Sequence, residues 1–322
     1  MRILVVADLV HASPRIPELI GGLCDLYEHE VVVLCPAHSQ QQLDEIDLPE
    51  TFSSSVELVK TPVHQDCFQW IRSLLGYFRY NSENSYSEQL KNSLGNGSYF
   101  SNLVDWSLRV YQAFIAIPDT ERSWINLAKK TYRAELSARD FDCILSSSPH
   151  PSVHFVARWI KKQSSVFWVA DFRDPWTLSH NYQLPRWRAH IDTYMEKQVI
   201  ADSDLVITVS EGFAQKLQNL HSRLVQVVRN GYRERSSLTK YERRDKLVIS
   251  YTGSIYSGKQ NPLVFLGAIY NLTRSQKISR TDIEINFYGR LDSELQKFIE
   301  DHQIAGIVTQ RGYVSRSKSI QI

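Results

Sequence analysis

The chain has 322 residues, 43% of them hydrophobic and 22% charged, a globular composition longer than one hydrophobic core usually organises, so two domains are expected. A net charge of +2 without a long basic block gives no electrostatic footprint for nucleic acid, and no stretch supplies the roughly 20 apolar residues of a membrane span. Cys24, Cys35, Cys67 and Cys143 are scattered without metal-ligand spacing and read as reduced packing residues of a cytosolic protein, with no metal site indicated.

From Arg2 to Ala7 the run is β-rich and too short for a signal peptide, so it predicts a buried first strand. Ile16, Leu19, Ile20, Leu23 and Leu26 then recur at helical spacing, and Val31 to Cys35 is the next strand. Such an opening begins a doubly wound parallel sheet, whose ligands sit beyond the carboxyl ends of the strands. No G-x-G-x-x-G is present, and Gly21 and Gly22 lie inside the helical pattern, so an NAD site is not indicated. Residues 61–130 are irregular and rich in aromatics, and read as an insert. Within it Trp70, Ile71, Leu74, Leu75 and Phe78 form one helical face flanked by Arg72 and Arg79. That face either packs on the domain or lies on a membrane surface as a peripheral contact.

Order returns at the strand Asp142 to Ser146, which delivers His150 to its carboxyl end before a helix bearing Val153, Val156, Trp159 and Ile160. Position makes His150 a candidate ligand contact or general base, while a lone loop histidine also serves as a structural hydrogen-bonding group. The strand Val166 to Ala170 brings Asp171, Arg173 and Asp174 to the same edge. Two carboxylates around an arginine read either as a catalytic pair or as an internal Arg173 ion pair that shapes the loop. Leu205 to Ser210 is strand again, Phe213, Leu217 and Leu220 mark a helix, and Val225 to Gly231 closes the first half. The charged stretch Tyr232 to Lys246 reads as a linker, which places the domains at 1–232 and 233–322.

In the second half the strand from Leu247 runs into a glycine loop, Gly253 to Lys259, and then into a helix for which Asn261 is a good N-cap and Pro262 a good first residue. Loop amides, the helix dipole and the Lys259 ammonium suit an anion, and Gly253 and Gly258 permit close backbone approach. The same residues match the P-loop pattern G-x-x-x-x-G-K-[ST] except that Gln260 replaces the magnesium-binding hydroxyl, which argues against a metal-dependent NTPase. A plain strand-to-helix turn is the third reading. Beyond it come a strand over Ile283 to Tyr288, Gly289 and Arg290, a helix from Ser293 to His302, and a short strand around Ile307 to Thr309. About seven strand runs therefore fill the first half and three the second.

The stretch from Ser146 to Ser152, Ala170 to Trp176, Val206 to Ser210, Arg229 to Tyr232 and Tyr251 to Lys259, in that order and spacing, resembles the two-domain nucleotide-sugar glycosyltransferases of family 4 with the GT-B fold. The likeness spans nearly the whole chain. It implies two Rossmann-like domains, the second incomplete, and a retaining, metal-independent transfer with no cofactor beyond the nucleotide-sugar donor. By the same resemblance the donor contacts are Gly253, Ser254, Gly258, Lys259, Gly289, Arg290 and Tyr313. A glycan or lipid-linked acceptor lies on the side of Asp171, Arg173 and Asp174, and His150 faces the reacting groups. Many members place an arginine directly after the glycine of the phosphate loop, where Ser254 stands here, and carry downstream a pair of glutamates that this sequence does not reach. A shortened chain with impaired transfer is the expectation, and surface polysaccharide assembly at the inner face of a membrane is the setting the family implies.

Overall fold

The computed structural model describes residues 1–12, 14–38, 55–62, 110–179, 182, 184–231, 245–256 and 260–322. Their contacts divide the chain into two compact units, Met1–Arg233 and Glu234–Ile322.

The first unit is built on strands β1 (Arg2–Ala7), β2 (Glu30–Pro36), β3 (Val56–Thr61), β4 (Cys143–Ser147), β5 (Phe167–Phe172), β6 (Leu205–Thr208) and β7 (Gln226–Val227). All pair in parallel in the order β3-β2-β1-β4-β5-β6-β7. A parallel sheet must be covered on both faces because its crossovers run over them, so its central strands are mostly apolar, with Ser146, Ser147 and Asp171 buried toward their carboxyl ends. Side-chain alternation then sorts those residues into two layers. Leu4, Val6, Val32, Leu34, Ile144 and Trp168 share one cluster with helices α2 (Arg122–Thr131) and α3 (Ser152–Ser164). Ile3, Val5, Val31, Val33 and Leu145 face the other way, onto Ile16 and Ile20 of α1 (Arg15–Tyr27). The strand order reverses between β1 and β4, and in such sheets the crevice for ligands opens at that point.

Both β3 and α2 are elements that the pattern reading does not name. Trp124 of α2 is buried, and its indole N–H donates to Thr61 Oγ1 at the end of β3, 2.8 Å away. The closing part of the aromatic stretch is thus core of the first unit. Residues 63–109, with the apolar face from Trp70 to Phe78, lie outside the described residues.

Helix α4 (Arg186–Asp202) also escapes the apolar pattern, and the reason is visible in what it buries. Arg188, Asp192 and Glu196, one helical turn apart, are fully buried. Arg188 donates to Asp192 Oδ1 at 2.8 Å and to the carbonyls of Gln112, Ala113, Ala116 and Pro118 at 2.8 to 3.0 Å, closing off the π-helical turn Tyr111–Ile115. Tyr182 donates its hydroxyl to Asp192 Oδ2 at 2.8 Å, Thr177 donates to Glu196, and His221 Nε2 lies 3.2 Å from the same carboxylate. Burial still outweighs these partners at Asp192 and leaves its pKa above the ordinary value. The network therefore fixes the geometry of the Tyr111–Pro118 segment rather than supplying cheap stability.

The second unit has strands β8 (Leu247–Thr252), β9 (Ile283–Tyr288) and β10 (Val308–Gly312), parallel in the order β10-β9-β8. Helices α6 (Pro262–Arg274) and α7 (Ser293–Asp301) bury Leu266, Ile269, Leu295 and Ile299 against Ile283, Ile285 and Phe287, while α5 (Glu211–His221) belongs to the first unit and α8 (Arg316–Gln321) follows β10. Among the described residues the first unit thus has seven strands and the second three; about seven and three are expected from the sequence, but β3 is not among the runs it marks.

Arg188→Met removes the donor from four buried carbonyls and strands the Asp192 carboxylate, so the first unit should lose about 3 to 5 kcal/mol. All seven tryptophans lie between Trp70 and Trp187, so urea unfolding followed by tryptophan fluorescence reports this unit alone. A change below about 1 kcal/mol would mean the network is dispensable.

Candidate functional site

At the reversal point of the first sheet, the β1 end supplies Asp8 and His11 and the β4 end supplies His150. The backbone N–H of His11 donates to Asp8 Oδ1 at 3.1 Å, and His11 Nδ1 sits 2.9 Å from Asp8 Oδ2. His38, after β2, places Nε2 3.1 Å from Asp8 Oδ1, close enough for charge interaction but outside hydrogen-bond alignment. Burial alone would push the Asp8 carboxyl up; the bonds and charges of His11 and His38 outweigh it and hold the pKa well below the carboxylate range. The rings of His11 and His150 meet edge to face with centroids 4.8 Å apart, and Nε2 of His150 is buried without a hydrogen-bond partner. Glu121 is linked electrostatically to the same group; burial is the main cause that raises its pKa, with the His150 charge opposing and the carboxylates of Asp119 and Asp8 adding to it.

His150 thus lies at the edge where the strand-end rule places it, among acidic and imidazole groups rather than alone. Asp8, His11, His38 and Glu121 are not singled out by spacing, because three separate segments bring them together beside His150 on a fourth. Asp8 and His11 do follow directly on β1, and the strand-end rule applied to that strand points to both. The N-terminus of α3 beside them is already taken: Asp119 accepts from the Ser152 backbone N–H at 2.6 Å and from the Ser152 hydroxyl at 2.7 Å. A carboxylate fills the place where a helix terminus would hold a phosphate.

Asp171 is fully buried and spent on structure. Arg15 donates from Nε to Asp171 Oδ2 at 2.9 Å and from Nη2 to Oδ1 at 3.0 Å, and Ser147 donates to Oδ2 at 2.7 Å. The remaining Arg15 nitrogen donates to the Val228 carbonyl and to Asn230 Oδ1, at 2.8 and 3.0 Å. Arg173 pairs with Asp174 through Nε to Oδ2 at 3.0 Å. Of the two carboxylates around Arg173, Asp174 is paired with it and Asp171 with Arg15.

In the second unit, three glycines end three neighbouring strands. The Gly253 N–H donates to the Tyr288 carbonyl at 2.8 Å and the Gly289 N–H to the Gly312 carbonyl at 2.9 Å, so Ser254, Arg290 and Tyr313 leave the sheet along one edge. Gly289 has φ +153°, and a Cβ there would stand 2.1 Å from the Gly253 carbonyl oxygen, so the two strand ends touch only because Gly289 lacks a side chain. Beyond Gly253, Gln260 folds its side chain back: its Oε1 accepts from the Tyr251 hydroxyl and the Tyr256 N–H, each at 3.2 Å. Gln260 therefore ties the start of α6 back to Tyr251 and Tyr256. Asn261 caps α6 by accepting from the Leu263 N–H at 3.0 Å, with Pro262 in the first turn. Gly258 and Lys259 lie outside the described residues.

A sequence profile described as a glycosyl transferase 4-like domain matches residues 12–231, more than half of the chain, and the chain belongs to that family. No curated protein sequence matches it. Among solved structures it is similar to sucrose-phosphate synthase of Thermosynechococcus elongatus, with TM-score 0.58 and 9% identity over 100% of this chain and 72% of that one. It is similar also to Anabaena HepE, solved in complex with UDP, with TM-score 0.54 and 13% identity over 100% and 71%. A third neighbour is a putative UDP-N-acetylglucosamine 2-epimerase from Listeria monocytogenes, with TM-score 0.53 and 10% identity over 99% and 71%. At these identities the likeness shows the fold, which is the GT-B arrangement of a complete first sheet and a partial second one. Among the described residues no helix is long and apolar enough to cross a membrane.

Asp171→Asn should cost about 3 kcal/mol, because Arg15 stays buried without its counter-charge; urea unfolding that matches the parent protein would show that the carboxylate is not structural. Gly289→Ala should destabilise the second unit by about 1 to 3 kcal/mol through overpacking at Gly253. Faster hydrogen exchange in β9 is the measurement, and unchanged exchange would show that the loop yields without strain.

Proposed function

We propose that the chain is a retaining glycosyltransferase that moves a sugar from a nucleotide-sugar donor to a glycan or lipid-linked acceptor, without a metal ion at the donor diphosphate. The observation that carries this reading is the passage from β8 through Gly253 into α6. Close-packed glycine strand ends, a loop braced by Gln260 and a capped helix N-terminus are the parts of a backbone anion site, and Lys259 adds a charge-assisted donor. Family membership supports the transferase class, and HepE structures with UDP and with UDP-glucose support a nucleotide sugar as donor. The epimerase among the neighbours also takes its name from a UDP-sugar, so the donor class rests on more than the transferases.

In this reading the diphosphate lies over Gly253, Ser254 and Gly258, with Arg290 and Tyr313 at the neighbouring strand ends toward the rest of the nucleotide. Amides and dipole are already oriented, so they stabilise charge growing on the leaving diphosphate without reorganising. Gln260, in the position of the P-loop hydroxyl, is engaged within the loop, and a magnesium-dependent NTPase is correspondingly disfavoured. Front-side attack lets the leaving phosphate take the acceptor proton, so no nucleophilic carboxylate is needed. His150 is the side chain of the first unit assigned to the sugar or acceptor, and surface polysaccharide assembly at a membrane is the setting that family membership suggests.

Lys259→Ala should weaken binding of nucleoside diphosphate by about 1.5 to 3 kcal/mol, the worth of a charge-assisted hydrogen bond, as read by titration calorimetry. Magnesium should leave that affinity unchanged. Equal affinity of variant and parent, or affinity that appears only with magnesium, would overturn the donor assignment, and an inverted anomeric product by NMR would overturn retention.

A further inference from the structure

We propose that Asp8, His11 and His150 hold one divalent transition-metal ion of the zinc class between the carboxyl ends of β1 and β4. One donor atom from each lies within 4.8 Å of the others. This inference concerns the first unit alone and does not depend on the transfer reaction.

Three observations carry it. Nε2 of His150 is buried and has no hydrogen-bond partner among the described residues, a costly state that coordination relieves. Asp8 already has the surroundings of a metal-binding carboxylate, with Oδ2 on His11 and Oδ1 facing His38, so its orientation is set before any ion arrives. The donor set suits a cation, because the buried Asp8 carboxylate lies among imidazoles and the adjacent helix N-terminus is already occupied by Asp119. Two imidazoles with a carboxylate favour zinc-class ions over magnesium or calcium, which prefer all-oxygen shells.

Zinc bonds of roughly 2.0 to 2.2 Å bring tetrahedral donors to roughly 3.3 Å from one another, so the spread of 4.8 Å closes by side-chain rotation of His11 and His150. Three protein donors leave a coordination position open to water.

The test uses the untagged full chain, stripped with chelator and titrated with zinc and with cobalt. One ion per chain, a cobalt visible spectrum of nitrogen and oxygen ligation without thiolate charge transfer, and a raised unfolding temperature are expected. His11→Ala and His150→Ala should each weaken binding tenfold or more, whereas His190→Ala, on the exposed side of α4, should not. Where an alanine variant fails to fold, His150→Gln keeps the volume, removes the imidazole lone pair and carries the same expectation. Absence of stoichiometric binding, a thiolate spectrum, or affinity indifferent to both histidines would overturn the proposal, and none of these readouts touches sugar transfer.

Discussion

The buried pair of Arg15 with Asp171 is the contact on which the carboxyl edge of the first sheet depends. Its two charge-assisted bonds join the start of α1 to β5, Ser147 ties in β4, and the third guanidinium nitrogen holds the exit of β7 at Val228 and Asn230. A lysine in that place would make one contact where arginine's planar fork makes four in fixed directions. Everything displayed at that edge, His150 included, is held in register by an ion pair that no solvent reaches.

The two units present different chemistry at equivalent positions. At the ends of β1 and β4 the first unit carries carboxylates and imidazoles, with a helix terminus already satisfied by Asp119. The ends of β8 and β9 carry glycines; the helix after β8 is capped by the neutral Asn261, and the helix after β9 by Asp292. Low dielectric amplifies either preference, so one edge is suited to a cation and the other to an anion. A single fold thus displays opposite electrostatic characters, decided by a few side chains at the strand ends.

The polar stripe of α4 shows a further division of labour. Apolar burial covers both faces of the sheet, but the backbone from Gln112 to Pro118 turns inward without forming regular ladders, and its carbonyls need donors. Arg188 supplies four of them, with Asp192 as counter-charge. His154 is a related case: buried, bonded to Ser146 Oγ at 2.8 Å and stacked on Phe172, it is driven by burial to a pKa of about 3 and stays neutral inside the same layer.

The sequence by itself determined the parallel α/β class, the division into a larger and a smaller sheet, the glycine loop and its helix cap, because these rest on periodicity and on local rules for turns and caps. Continuous runs such as Val31 to Cys35 have no other comfortable place than a strand covered on both faces. Only the tertiary structure decided that Asp171 belongs to Arg15, that Gln260 braces its own loop, that Gly289 is required by Gly253, and that Asp8, His11 and His150 meet. Helix α4 stayed hidden because its buried face is charged, and the apolar period that marks a helix is absent when polar networks replace hydrophobic contact. Partners such as Arg15 and Asp171, 156 residues apart, leave no local signal: their burial is chosen by the order of the strands, and that order exists only once the sheet has formed.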